Sequence, residues 1–140
     1  MISEIALTCL AVAIYFEARG EPQMGQLGVA QVILNRVASD KYPNDICEVV
    51  TQGKRHKWNP DFPLRHKCQF SFFCDGLSDR PTHKDAFRWA RAIARFAVSE
   101  ARRDITQGAT FYHADYVTPP WSKYKIKTVK IGQHIFYKEK

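Results

Sequence analysis

Residues Ile5 to Phe16 form an almost unbroken apolar run that ends on a carboxylate, Glu17. A helix apolar on every side offers no face to water, so it belongs at the centre of a fold with other elements wrapped around it. Glu is rarely buried without a partner or a task. Loss of water disfavours the charged carboxylate and raises its pKa, and the negative end of the helix dipole pushes the same way. A carboxyl that keeps its proton near neutral pH is what a general acid requires. Arg19 and Arg36 carry the opposing reading: an ion pair from either would lower the pKa and make Glu17 structural.

The 140 residues suffice for a single domain spanning 1–140 with its own core. At 45% hydrophobic and 25% charged, the composition is that of a globular chain. A net charge of +7 favours anionic partners, among them nucleic acid, acidic membrane and wall polymer. No Lys or Arg precedes the apolar run and no Ala-x-Ala site follows it, so a core helix is expected there rather than a signal peptide. The run is also too short to span a membrane, and no membrane insertion is expected. Without an export signal the four cysteines are expected to be reduced, with Cys9 a buried thiol; a bridge between Cys68 and Cys74, or from them to Cys47, stays open.

The pattern predicts helices over about 3–17, 22–37 and 46–52, the second starting at Pro22. Met24, Leu27, Gln31 and Leu34 share one of its faces, and Gly25 and Gly28 would admit another backbone. Gly53 to Pro81 is basic, aromatic and aperiodic, and is expected to be an ordered loop forming a cleft wall, with Trp58, Phe62, Phe70, Phe72 and Phe73 inside it. Thr82 with Asp85 three residues on reads as a cap for a helix running to about Arg103, with Phe87, Ala90, Ala94 and Ala97 inward and a basic stripe of Arg88, Arg91, Arg95 and Arg102. A strand over 109–113 and a hairpin of 128–131 and 134–137, turning at Gly132-Gln133, complete a mostly helical α+β domain with a small β-hairpin near its C-terminus.

Glu17 and Glu21 would share a face if the first helix continued, and paired carboxylates are glycosidase equipment, but Gly20 and Pro22 interrupt the helix. A first-turn acid on the second helix is the structural reading of Glu21. Gln69, Phe70, Ser71 and Asp75, then Tyr112, His113 and Trp121, mix aromatic and polar groups as carbohydrate or base sites do; core strands give the plainer reading. His66-x-Cys68-x5-Cys74 matches no standard zinc spacing and His-Glu-x-x-His does not occur, so neither a metal nor a cofactor is expected. The arginine stripe and Lys54-Arg55-His56-Lys57 raise nucleic-acid binding, without a recognised module.

Glu17-Ala18-Arg19-Gly20-Glu21-Pro22, Gly25-Gln26, Val32 to Arg36, Tyr42-Pro43, Cys68 to Ser71 with Asp75-Gly76, Gly108 to Thr110 with Tyr112-His113, Pro120-Trp121, and Ile131-Gly132-x-His134-x-Phe136-Tyr137 occur in this order. Together they resemble the SleB/CwlJ-type cell-wall hydrolases, over nearly the whole chain. The resemblance implies a lysozyme-like, lytic-transglycosylase-like domain, with Glu17 as catalytic acid and the bond between N-acetylmuramic acid and N-acetylglucosamine as substrate. Glu21, Gln69, Phe70, Ser71, Asp75, Tyr112, His113 and Trp121 are then expected along the glycan. Should Glu21, Asp75 or Asp115 sit opposite Glu17, water would attack and the enzyme would be a hydrolase. The expected partner is the peptidoglycan glycan strand, met as a monomer and without nucleic acid. Absence of a signal and of a wall-binding domain suggests a chain made in the cytoplasm and released as a phage endolysin is. The rival from another class is a non-catalytic basic module that binds nucleic acid or wall polymer.

Overall fold

The central place that the apolar run demands is the one it takes. In the computed structural model, which describes residues 2–55, 63–99 and 103–140, helix α1 (Glu4–Ala18) packs against α2 (Gln23–Ala38), α3 (Ile46–Val50) and α4 (Lys84–Ala97). Ser3 starts α1 by accepting from the Ala6 amide at 3.0 Å. Leu7, Leu10, Ala11, Ala13, Ile14, Tyr15 and Ala18 are all buried, so the helix is covered on every side along most of its length. Burial is worth about 1.5–3 kcal/mol for each large apolar side chain, and Leu10, Ile14 and Ile33 are fully buried here. Gly20 and Pro22 stop α1 and restart the chain as α2, so Glu17 and Glu21 do not share one continuous helix.

Helix α4 starts one residue later than expected: His83, not Thr82, caps it, with Nδ1 accepting from the Ala86 amide at 3.1 Å. It ends at Ala97 rather than near Arg103, and Arg102 lies outside the described residues. The basic stripe is partly neutralised, since Arg91 and Arg95 both reach Glu4 and Arg88 reaches Asp85.

The long aromatic segment holds more regular structure than its sequence suggests. Strands β1 (Gly53–Arg55) and β2 (Pro63–Cys68) pair antiparallel and lead into a single 3-10 turn over Ser71–Cys74. Gly53 faces Cys68 so closely that a Cβ there would stand 2.7 Å from the Cys68 Cα. Trp58 and Phe62 lie outside the described residues. The reduced-thiol expectation is corrected: Cys9 bonds Cys47, tying α1 to α3, and Cys68 bonds Cys74 around the aromatic turn.

The C-terminal hairpin of β4 (Ile126–Ile131) and β5 (His134–Lys138) turns at Gly132-Gln133 as expected, and β3 (Phe111–Ala114) extends it to a three-stranded antiparallel sheet in the order β3-β5-β4. This sheet packs on α2 through Val32, Ala109 and Phe136. A Cβ on Gly28 would stand 2.7 Å from Phe136 Cζ, so that glycine admits an aromatic ring rather than another backbone. Gly25 is likewise filled by a side chain, that of Glu21.

Polar residues of α2 carry the chain into β3. Gln31 donates to the Arg103 carbonyl at 2.6 Å and accepts from the Ile105 amide at 2.9 Å. Asn35 donates to Asp104 at 3.0 Å and to the Ala109 carbonyl at 2.9 Å, and Arg36 donates to the Thr110 carbonyl at 2.7 Å. Asp104 in turn accepts from the Thr106 and Gly108 amides. The loop before β3 is thereby fixed, and with it the position of Tyr112.

Candidate active site

Glu17 is the penultimate residue of α1, half-buried where the helix emerges from the core. Burial raises its pKa above the ordinary carboxyl range; a hydrogen bond from Tyr112 and the charge of Arg36 oppose that rise without cancelling it. The Tyr112 hydroxyl donates to Glu17 Oε1 at 2.5 Å. Burial, with the charge of Glu17, pushes the Tyr112 hydroxyl well above its ordinary value, so it remains a donor.

The ion-pair reading of Glu17 fails on geometry. Arg19 turns away, laying its guanidinium 4.6 Å above the Tyr15 ring and donating to the Tyr15 hydroxyl. That hydroxyl also accepts from the His83 amide at 3.0 Å, which joins α1 to the start of α4. Arg36 is buried at 5% exposure among the rings of Tyr42, Phe70 and Phe111. It acts on Glu17 through space, and no salt bridge joins the two among the described residues.

Glu21 stands on the same pocket as Glu17. The pocket holds about 190 Å³ and is lined by Glu17, Ala18, Gly20, Glu21, Ala114, Tyr116, Gln133 and His134. Glu21 Oε1 accepts from the Gln133 amide at 2.8 Å, and His134 Nδ1 lies 3.9 Å from the same oxygen. Gly132 makes this approach possible: its φ is +58°, and a Cβ there would stand 2.6 Å from Glu21 Oε1. Burial pushes His134 below its ordinary pKa, against the opposing pull of Glu21 and Asp115, so its ring is neutral near pH 7. The ring packs against Tyr112 at 4.9 Å, so the residues around the two carboxylates touch one another.

Strand alternation sorts the remaining candidates. Tyr112 and Ala114 face Glu17, whereas Phe111 and His113 face the other side of β3. There His113 bonds the Tyr137 hydroxyl at 2.9 Å and packs with Trp121 and Tyr137. His113 and Trp121 therefore belong to an aromatic cluster behind the sheet. Phe70 is a correction: at 2% exposure it is a core residue beneath the Arg36 guanidinium and offers no surface to a glycan. Gln69 and Ser71 are exposed and Asp75 is half-buried, and none of the three lines the pocket at Glu17. Asp115 is exposed and pairs with Lys130 at 3.2 Å. Among the described residues no group of three His, Cys, Asp or Glu side chains is placed to hold a metal ion. Three side chains of the pocket, Tyr116, Gln133 and His134, are not among the candidates read from sequence; the hairpin turn, which holds Gln133 and leads into His134, was the available signal.

Residues 20–137 match the Cell Wall Hydrolase family. The chain belongs to that family. It is 33% identical over 137 residues to a spore cortex-lytic enzyme of Halalkalibacterium halodurans and 34% identical over 130 residues to that of Bacillus subtilis. These matches cover 96% and 91% of this chain but 35% of each relative, so the chain spans about a third of their length. Its structure is similar to the catalytic domain of the germination-specific lytic transglycosylase SleB from Bacillus anthracis, at a TM-score of 0.72 and 32% identity, covering 98% of this chain and 97% of that one. The catalytic domain of the Bacillus cereus SleB protein matches at 0.70 and 30% identity, over 99% of this chain and 93% of that one. The expected α+β fold therefore stands, as a member of a wall-cleaving family. Nothing in these matches supports the nucleic-acid module.

Proposed function

We propose that this domain cleaves peptidoglycan glycan strands between N-acetylmuramic acid and N-acetylglucosamine as a lytic transglycosylase, with Glu17 as general acid and then general base. The observation that carries the proposal is the state of Glu17: a carboxyl with its pKa raised by burial, oriented by Tyr112 and open to a pocket. Because Oε1 accepts from Tyr112, the acid proton belongs on Oε2, which delivers it to the glycosidic oxygen as the bond to muramic acid breaks. The resulting carboxylate is then stabilised by the Tyr112 hydroxyl and the Arg36 charge, the two influences that favour its ionised form. It accepts the proton of the muramic 6-hydroxyl as that oxygen closes on C1, giving the 1,6-anhydro sugar. The same group serves in both directions, as microscopic reversibility allows. Glu21 is already engaged by the Gln133 amide, which favours this internal attack over activation of a water. One chain supplies Glu17, Tyr112, Glu21 and His134, which supports action as a monomer. The net charge of +7 would draw the domain to anionic wall material.

Mass spectrometry of digested peptidoglycan tests this reading. Anhydro-muropeptides are expected from the parent, and Glu17→Gln, which keeps shape but holds no acid proton, should release them more slowly by about 10²–10⁴-fold. Reducing ends in place of anhydro sugars would make the enzyme a hydrolase, and full activity of Glu17→Gln would remove Glu17 from the chemistry.

A further inference from the structure

Tyr116 is a large aromatic residue at 80% exposure, and it lines the pocket that holds Glu17 and Glu21. A lone exposed aromatic is ordinary on a protein surface; one on a polar pocket that holds two carboxyl groups has a different setting. The backbone that carries it is firmly held. The Asp115 amide donates to the Gln133 carbonyl at 2.8 Å, the Val117 amide donates to the Ala114 carbonyl at 3.2 Å, and Asp115 pairs with Lys130. The ring is thus presented to solvent from a fixed turn. The same pocket is lined by groups of a different kind: the Glu21 carboxylate and the His134 ring, with side chains only 10% and 9% exposed. An exposed aromatic ring, sheltered polar groups and the Glu17 carboxyl on one pocket match the surface of a pyranose, whose C–H face is apolar and whose edge carries hydroxyl and amide groups.

We propose that Tyr116 is a sugar-stacking platform, on which one 2-acetamido pyranose lies face-on with its polar edge toward Glu21 and its glycosidic oxygen toward Glu17. This rests on the glycosidase reading above and adds to it a substrate-binding residue. Tyr116 makes no demand on the core, so its variants are expected to fold.

The test uses the parent, Tyr116→Ala and Tyr116→Trp on soluble glycan strands, with product release followed by mass spectrometry. Tyr116→Ala should raise KM by about tenfold, the scale of one lost aromatic contact, and Tyr116→Trp should bring KM back to within about twofold of the parent. In the Tyr116→Trp, Glu17→Gln double variant, the fluorescence of the new indole should change on addition of N-acetylglucosamine oligomers. A parent that releases fragments while Tyr116→Ala shows the same KM would overturn the stacking role and leave the role of Glu17 standing. A KM that rises for Tyr116→Trp as much as for Tyr116→Ala would overturn it too. A parent that releases no fragments would instead fail the glycosidase reading itself.

Discussion

Two atoms set the chemistry of Glu17: the hydroxyl oxygen of Tyr112 and the carboxyl oxygen it touches, 2.5 Å apart. Burial raises the Glu17 pKa and the Tyr112 hydrogen bond lowers it, so the two residues form one adjustable unit. The sign of a change follows directly. In Tyr112→Phe, burial is less opposed, the Glu17 pKa rises further, and the proton-bearing acid persists to higher pH. The alkaline limb of the pH–activity profile should therefore move upward, while the maximal rate falls by about tenfold for the lost charge-assisted hydrogen bond. A limb that stays in place or moves down would mean that the contact does not exist in solution. The position of Glu17 was legible in the sequence because a carboxylate closing an apolar run is anomalous on its own terms. Its partner was not legible: Tyr112 was expected to hold glycan, and nothing within a few residues of either position shows that they meet.

At the scale of elements, the site is a seam between the end of α1 and one face of the C-terminal sheet, and α2 holds the two together. Gly28 is a tight point between α2 and the sheet, because Phe136 sits where a side chain would be. Gly28→Ala gains helix propensity of about 1 kcal/mol but drives a methyl into a fully buried ring, an overpacking cost of about 1–3 kcal/mol. Phe136 lies beside Tyr112, at a ring separation of 5.8 Å, so the strain runs toward the donor of Glu17. A lower denaturation midpoint together with reduced glycan cleavage is expected; a variant as stable and as active as the parent would show that the seam is loose. The first three helices were readable from the sequence within a few residues, whereas α4 ends at Ala97, well short of the expected Arg103. The facing of β3 was also implied by strand alternation, but which face meets Glu17 was not, and this is why His113 and Trp121 were grouped with residues that the sheet separates from them.

For the molecule as a whole, the Cys9–Cys47 bond is the cross-link with the greatest reach, closing 38 residues and joining the central helix to α3. A bond of this span stabilises mainly by restricting the unfolded chain, by about 2–4 kcal/mol. The Cys9→Ala, Cys47→Ala variant should unfold at correspondingly lower denaturant, and reductant should lower the parent by more than it lowers the variant, which keeps only the short Cys68–Cys74 loop. Equal stability of the two without reductant would show that the bridge does not form. Sequence by itself determined that a helix without a polar face must be central, that its terminal carboxyl would be short of water, and that a small β element would close the chain, because these follow from local pattern and from the cost of exposing apolar surface. Only the tertiary structure decided which cysteines bond, that Arg19 turns onto Tyr15 instead of Glu17, that Phe70 is core, and that Tyr112 and Tyr116 stand at the carboxyl, because each of these depends on a contact across the chain that side-chain identity leaves open until the backbone brings the partners together.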